Sequence, residues 1–390
     1  MRRKLLVVDD EIDVETMLRQ RFRAEIQRGQ YDFIFARDGF EALEIFRELK
    51  DAPLIITDIR MPRMDGLALL AEISRIDPIQ RVVIVSAYGD MNNIRAAMNG
   101  GALDFLTKPI DFEDFQSTVQ RALAHIAAQE ESHKRHAELS GIKHELELAR
   151  KIQETILPSR TPDIAGLNIF SFYKPMSTVG GDFFGFYEDR GRHLGILVAD
   201  VVGHGIPAAM IAAMVRVAFN LQKDAASDAA AVLLGMERVL NESGMIDTNF
   251  VTACYVYVDL ETMRLRTANA GHPPLLIHRN NGEVLELRPA GSILGMLEFG
   301  GVEAQEVELF PGDRIFAFTD GFFECGAGLN WFGQERLIQA FREDANLAPD
   351  GFMNALLQRL NDWNRQYGIS GDFDDDLTAV VIDVQDPANG

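Results

Sequence analysis

The sequence of 390 residues contains little cysteine, little positive charge and no long apolar run. Its two cysteines, Cys254 and Cys325, lie far apart and match neither a zinc spacing nor a disulfide framework, so we expect buried thiols in a reducing compartment. The longest apolar stretch, around Ala208–Val215, is far shorter than the roughly 20 residues that span a bilayer. Asp9 and Asp10 interrupt the N-terminal apolar run before it reaches the length of a signal peptide. We therefore expect a cytoplasmic protein without a membrane partner.

The scarcity of positive charge is uneven along the chain. The 38 lysines and arginines against 59 aspartates and glutamates leave a net charge of -21, which argues against a nucleic-acid partner. Residues 161–390 hold 15 basic and 32 acidic residues, whereas residues 1–125 hold 17 and 21. The acidic section is explained either by a solvated surface or by carboxylates gathered around cations.

Short apolar runs alternate with segments of helical length in the first 110 residues. This alternation predicts a five-stranded parallel sheet covered by helices on both faces. The five runs are Leu5–Val8, Phe33–Ala36, Leu54–Thr57, Val82–Val85 and Leu103–Leu106.

Polar side chains follow four of these runs: Asp9 and Asp10, Asp58, Ser86 and Lys108. The carboxyl ends of parallel strands meet at one edge, so these groups are expected to converge. Adjacent carboxylates repel unless a cation joins them, and Mg²⁺ suits such oxygens. An aspartate can also accept a phosphoryl group. The alternative is that these aspartates only form turns.

The segments LLVVDDE, LIITDIRMPRMDG, VVIVSA and FLTKP resemble the receiver domain of two-component response regulators, which has a flavodoxin-like fold. The resemblance implies that Asp58 accepts a phosphoryl group from a cognate histidine kinase. It further implies one Mg²⁺ held by Asp10, Asp58 and the carbonyl of Arg60, with Asp9 assisting through water.

The same resemblance implies a switch. Lys108 would pair with the phosphoryl oxygens, Ser86 would move to hydrogen-bond them, and Phe105 would follow as the aromatic switch. The Lys108–Pro109 bond is a candidate cis peptide.

A long helix is predicted from Asp111 to Ile156, where one glycine and no proline occur. Two apolar registers fail to join smoothly within it, and Gln129, His133 and His136 fall where they meet. We predict a parallel dimeric coiled coil with a weak middle, the alternative being a single helix packed on its own domains. The registers are Phe115, Val119, Ala122 and Ile126, then Leu139, Ile142, Leu146, Ala149, Gln153 and Ile156.

Carboxylates recur at strand ends or tight turns in residues 161–390, which read as a layered α+β domain. Glycines beside them permit tight turns, and oxygen-only ligands suit Mg²⁺ or Mn²⁺. A pair of such ions activates water for displacement at phosphorus. The alternative is a set of Asp-Gly turns. The motifs are Gly180–Asp182, Asp200–Gly205, Thr319–Gly321 and Asp374–Thr378.

These motifs stand in segments that resemble the metal-dependent PPM (2C) protein phosphatases in their SpoIIE/RsbU branch: FYKPMSTVGGDFFGFY, VADVVGHGIPAAM, ANAGHPP, PGDRIFAFTDGFFEC and DDLTAVVI. The resemblance implies an α/β/β/α sandwich with two Mn²⁺ or Mg²⁺ ions. Asp200 would bridge both ions, Asp320 and Asp375 would complete the first, and Asp182 with the Val201 carbonyl would hold the second. His272 of AGHPP is expected to be structural, because a two-metal mechanism needs no imidazole nucleophile.

The predicted organisation is a receiver at 1–122, a helical linker at 123–160 and a phosphatase at 161–390. By family analogy the substrate is a phosphorylated anti-sigma-factor antagonist of the STAS fold, and a homodimer is expected. One alternative is a catalytically silent adaptor that binds a sigma factor or anti-sigma component. Another is that the phosphatase acts on the receiver itself.

Overall fold

The computed structural model describes residues 3–49, 53–77, 79, 81–87, 90–189, 191–244, 250–296, 300–327, 330–369 and 373–385. The chain divides into two compact units, Met1–Gly141 and Ile142–Gly390. None of the helices within these described ranges combines the length and the apolar character that crossing a bilayer requires.

The first unit contains a parallel five-stranded sheet, as the sequence predicts. Its strands are β1 (Arg3–Val8), β2 (Tyr31–Ala36), β3 (Leu54–Asp58), β4 (Val82–Ala87) and β5 (Asp104–Lys108), in the spatial order β2-β1-β3-β4-β5. Its helices are α1 (Ile12–Arg21), α2 (Arg23–Gln27), α3 (Gly39–Glu48), α4 (Gly66–Ile76) and α5 (Met91–Asn99).

Alternate residues of β1 enter different apolar clusters. Leu5 and Val7 pack with Phe115 on one face of the sheet, whereas Leu6 and Val8 pack with Leu69 on the other. Successive side chains of a strand point to opposite faces, so a continuous apolar run requires cover on both faces. The LLVV run is therefore explained by a doubly covered sheet.

Helix α6 (Phe112–Ile156) has 45 residues, which confirms the predicted long helix. Its first apolar register, Phe115, Val119, Ala122 and Ile126, is buried in the receiver core. Those residues are used within the unit, so a dimeric coiled coil has to rest on the second register. Leu139 and Ile142 of that register are 60% and 55% exposed.

The second unit contains two antiparallel sheets of five strands. The first has the order β13-β10-β9-β8-β7 and the second β12-β11-β14-β17-β6. The strands are β6 (Leu167–Lys174), β7 (Phe183–Asp189), β8 (His193–Val201), β9 (Val251–Asp259), β10 (Arg264–Ala270), β11 (Leu275–His278), β12 (Val284–Leu287), β13 (Ala304–Glu308), β14 (Arg314–Phe318) and β17 (Leu377–Val384); β15 (Gly326–Ala327) and β16 (Asn330–Trp331) form a small hairpin.

Helices cover the outer faces of these two sheets. Helices α7 (Ile206–Asn220) and α8 (Ala229–Glu242) pack on the β7–β10 sheet, while α10 (Gln334–Glu343) and α11 (Pro349–Gln366) pack on the other; α9 (Gly321–Glu324) is a single turn. A third apolar cluster lies between the sheets, with Ile196 and Val256 facing Ile277 and Val380. These layers confirm the predicted α/β/β/α sandwich.

Candidate functional sites

The carboxyl ends of β1 and β3 bring three aspartates together in the receiver unit. Carboxylate oxygens of Asp9, Asp10 and Asp58 all lie within 4.8 Å of one another. Burial raises the pKa of Asp9 above its ordinary value, and the negative charge of Asp58 adds to this. Three crowded hard oxygens suit a divalent cation, so the residues present fit the predicted Mg²⁺.

Lys108, at the end of β5, reaches this triad. Its Nζ atom lies 2.6 Å from Asp58 Oδ2 and 3.0 Å from Asp9 Oδ2. Burial alone would lower the pKa of Lys108, but the hydrogen bonds to these two carboxylates raise it above its ordinary value. The ammonium is therefore held charged beside Asp58. The Lys108–Pro109 peptide bond is cis, as predicted.

The other predicted receiver residues have distinct surroundings. The buried hydroxyl of Ser86, on β4, has no hydrogen-bond partner among the described residues. The Phe105 side chain on β5 is 39% exposed, and the Arg60 N–H donates to Asp58 Oδ1 at 3.4 Å. A buried hydroxyl that lacks a partner among the described residues suits the predicted switch, since it can bond a new oxyanion.

The four aspartates predicted for the phosphatase come from separate strand ends. Asp182 precedes β7, Asp200 lies near the end of β8, Asp320 follows β14, and Asp375 precedes β17. Asp182 is 1% exposed. No three of these carboxylates, as far as the described residues go, reach the mutual 4.8 Å spacing of the receiver triad. A site for two ions about 3.5–4 Å apart, with waters, needs a wider ring of ligands than a single ion does.

The negative charges of several of these carboxylates affect one another's pKa. Burial raises the pKa of Asp182 well above its ordinary value, and the charge of Asp200 adds to this. Burial, together with the charges of Asp320 and Asp375, raises the pKa of Asp200 to about 7. Burial of its carboxyl group and the charge of Asp320 raise the pKa of Asp375 to about 6. Such a cluster is costly without cations, and its all-oxygen donors fit Mn²⁺ or Mg²⁺.

These raised pKa values predict a pH dependence for the second unit. A carboxyl group whose pKa is raised by folding binds protons more tightly in the folded state. The free energy of unfolding of metal-free protein should therefore fall as pH rises from about 4 to about 7. Mn²⁺ displaces those protons, so the affinity for Mn²⁺ should rise over the same pH range. The rise is about tenfold per pH unit for each carboxyl group, as long as the pH is below the pKa of that group. Calorimetric titration with Mn²⁺ at pH 5.5 and 7.5 measures this; equal affinities would contradict it.

Asp182 is held by a hydroxyl group from the residue that follows β14 in the other sheet. Thr319 Oγ1 donates to Asp182 Oδ2 at 2.8 Å and accepts from the Thr378 N–H at 3.1 Å. Gly181 lies against β8, because a Cβ atom there would meet the Val201 carbonyl oxygen at 2.8 Å. These contacts place the Asp182 segment beside the ends of β8, β14 and β17.

Two further side chains bind the loop before Asp182, and the sequence analysis gave neither of them a role at this site. The amide of Gln153, near the end of α6, donates to the Gly180 carbonyl at 2.6 Å and accepts from the Gly180 N–H at 3.0 Å. Asp376 accepts from the Gly181 N–H at 2.6 Å. The sequence shows that Gln153 lies in a helix before the domain and that Asp376 lies in an acidic run. Their hydrogen-bond partners could be identified only from the fold.

His272 is buried, and its hydrogen bonds are those of a structural residue. It is 1% exposed, and its Nδ1 atom lies 2.8 Å from Thr252 Oγ1. The main-chain N–H of His272 donates to Asn269 Oδ1 at 2.9 Å. Burial lowers the pKa of His272 to about 3, so the ring stays neutral.

The fold and these two clusters define a receiver joined to a PP2C-type domain. Residues 5–120 match the response regulator receiver domain, and residues 190–385 match Stage II sporulation protein E (SpoIIE). The SpoIIE match spans half of the chain, so the chain belongs to the SpoIIE family and carries a receiver domain ahead of the family domain.

Individual relatives agree with this assignment. The chain is 29% identical over 186 residues to "Phosphoserine phosphatase RsbU" and 31% identical over 195 residues to "Phosphoserine phosphatase RsbP", both of Bacillus subtilis. These matches cover 47% and 49% of this chain and 55% and 48% of the relatives, so the chain spans about half the length of the curated relatives it matches. The solved SiaA-PP2C domain of Pseudomonas aeruginosa is 28% identical, with a TM-score of 0.57, and covers 63% of this chain and 98% of its own.

Proposed function

We propose that this chain is a metal-dependent protein-serine/threonine phosphatase controlled by phosphorylation of Asp58. The observation that supports the catalytic part is the placement of Asp182, Asp200, Asp320 and Asp375 at strand ends, where burial raises the pKa of all four and the charges of neighbouring aspartates add to this for Asp182, Asp200 and Asp375. The relatives named phosphoserine phosphatases support the same reaction class.

Two Mn²⁺ or Mg²⁺ ions would be held by these aspartates and the Val201 carbonyl. When bound, such a pair lowers the pKa of a water and offsets negative charge on the phosphoryl group. The chain's own contribution is to hold the oxygens: Asp200 lies near the end of β8, and Thr319 fixes the Asp182 carboxylate. No side-chain nucleophile is required.

The input that we propose is phosphoryl transfer from a histidine kinase to Asp58. Asp9, Asp10 and Asp58, with the Arg60 carbonyl, would hold Mg²⁺, and Lys108 is already placed beside Asp58 to neutralise the phosphoryl oxygens. A phosphoryl group can act as a switch only if it interacts differently with two receiver states. The unpartnered Ser86 hydroxyl offers such a difference.

The substrate that we propose is a phosphoserine-containing anti-sigma-factor antagonist of the STAS fold. This part rests on similarity to the RsbU and RsbP sequences, not on a feature of the site.

Hydrolysis of p-nitrophenyl phosphate and of a phosphoserine protein, with and without Mn²⁺, tests the catalytic part. We expect turnover that depends on Mn²⁺. Absence of turnover at every Mn²⁺ concentration would favour the silent adaptor.

Action of the phosphatase on its own receiver is tested by the lifetime of Asp58 phosphate in Asp320→Asn. We expect this lifetime to equal that of the unaltered protein.

The linker supports a further prediction about dimers. Gln129, His133 and His136 interrupt the apolar positions of α6, and both histidines are exposed. Replacing all three with leucine should tighten a parallel dimer, because leucine at core positions stabilises coiled coils. It should also reduce the difference in activity with and without beryllofluoride, a mimic of aspartyl phosphate. Analytical ultracentrifugation measures the first effect; unchanged association and regulation would reject the weak-middle hypothesis.

A further inference from the structure

The carboxylate of Asp376 lies between the start of β17 and the loop that carries Asp182. Asp376 is buried, with 8% of its surface exposed. Oδ1 accepts from the Met176 N–H at 2.7 Å, and Oδ2 accepts from the N–H groups of Gly181 and Asp182 at 2.6 and 3.3 Å. One carboxylate thus binds three main-chain donors from a loop almost 200 residues away in sequence.

These three bonds distinguish Asp376 from the adjacent Asp375. Both oxygens of Asp376 are directed at N–H groups, which stabilise a carboxylate in place of a cation. The carboxyl group of Asp375 instead accepts from the Asp376 N–H at 2.8 Å and senses the charge of Asp320. The pair therefore differs in its partners: Asp376 binds main-chain groups of the loop, whereas Asp375 is the predicted metal ligand.

The loop fits closely against Asp376. A Cβ atom on Gly180 would meet Asp376 Oδ2, and a Cβ atom on Gly321 would meet the Asp376 main-chain oxygen, each closer than any real contact. Gly181 and Gly321 adjoin Asp182 and Asp320 in sequence. Asp376 thus contacts both segments that carry the other aspartates.

We propose that Asp376 is a positioning residue, which sets the affinity of the acidic cluster for divalent cations by holding the Asp182 loop through its three N–H groups. The proposal rests on the proposed function, because it assigns a role around the same metal site. Residues that orient metal ligands typically change metal affinity by about 10–100-fold when they are removed.

Asp376→Asn tests the proposal in the full chain, with Asp374→Asn as the matched control. Both substitutions remove one negative charge from the same acidic run, but Asp374 is exposed.

In Asp376→Asn an amide NH₂ group replaces one of the two oxygens that accept from the N–H groups of the loop. We expect its Kd for Mn²⁺, measured by calorimetry without substrate, to rise about 10–100-fold, whereas Asp374→Asn changes it by less than about threefold. The Mn²⁺-induced rise in Tm should shrink accordingly. At saturating Mn²⁺, kcat of Asp376→Asn should return to within about threefold of the unaltered protein.

Equal Mn²⁺ affinities for the two variants would overturn the proposal. So would a kcat of Asp376→Asn that stays low when Mn²⁺ is saturating, since that places Asp376 in the chemistry. If circular dichroism shows that Asp376→Asn does not fold, Gly180→Ala replaces it as the test. The added methyl group displaces the Asp376 carboxylate and should therefore weaken Mn²⁺ binding. Unchanged Mn²⁺ binding by Gly180→Ala would reject the positioning role of Asp376. Lack of Mn²⁺ binding by the unaltered protein rejects the proposed function itself, and the inference with it.

Discussion

Asp200→Asn should reduce Mn²⁺-dependent turnover of a phosphoserine protein by on the order of 10³-fold or more. The amide lacks the charge that offsets two cations, and Asp200 lies among Asp320 and Asp375 with a pKa of about 7. Removing a buried carboxylate also removes repulsion within the cluster, so metal-free Asp200→Asn should be more stable than the unaltered protein. Loss of activity together with a gain in metal-free Tm separates a metal ligand from a residue needed for folding.

The matched control is Asp224→Asn, which neutralises an exposed aspartate elsewhere in the same unit. It should leave both turnover and Tm close to those of the unaltered protein. Retention of full Mn²⁺-dependent turnover by Asp200→Asn would contradict the proposed metal site. A parallel loss in both variants would point to a general effect of charge on the reaction.

Much of the layered fold was predictable because strand periodicity and turn residues are local signals. The five receiver runs match β1–β5 closely, since parallel strands buried on both faces have continuous apolar sequences. Strand β13 lacks such a signal: its sequence, AQEVE, is polar and mostly exposed, and it lies at the edge of its sheet. Edge strands have a weaker apolar pattern than central ones.

The candidate ligands were predictable for a related reason. Asp58 and Asp200 each lie at or near the end of a strand, where chain direction alone brings side chains to an edge. Their supporting contacts were not predictable. Thr319 binds Asp182 and Asp376 binds Gly181 across 137 and 195 residues, and such pairings depend on which strands become neighbours.

The linker shows where periodicity fails. Phe115, Val119, Ala122 and Ile126 have the spacing of a coiled-coil seam, yet they are buried in the receiver core. An apolar helical stripe predicts burial but does not say whether the covering surface belongs to the same chain. Arg81 adds an anchor for this part of α6, since its guanidinium bonds Asp77 at 2.6 Å and Glu130 at 2.7 Å.

The strongest structural candidate for coupling in α6 is Gln153, whose amide binds both main-chain groups of Gly180. It is 5% exposed and lies three residues before the end of the helix. A change in α6 that moves Gln153 must break or carry along both hydrogen bonds, and Gly180 is two residues from Asp182. A displacement of α6 at Gln153 would therefore also act on the loop that carries Asp182.

Gln153→Leu should uncouple phosphatase activity from the phosphorylation state of the receiver. Leucine keeps the volume but leaves the Gly180 N–H and carbonyl without the amide, so the free energy of unfolding should fall by about 1–3 kcal/mol. The ratio of phosphatase activities with and without beryllofluoride should become close to one, whichever state is the more active, because the receiver can no longer act on the loop through this contact. Lys151→Leu, an exposed position two residues earlier on α6, should keep the ratio of the unaltered protein. A ratio that survives in Gln153→Leu would place the coupling elsewhere in the chain.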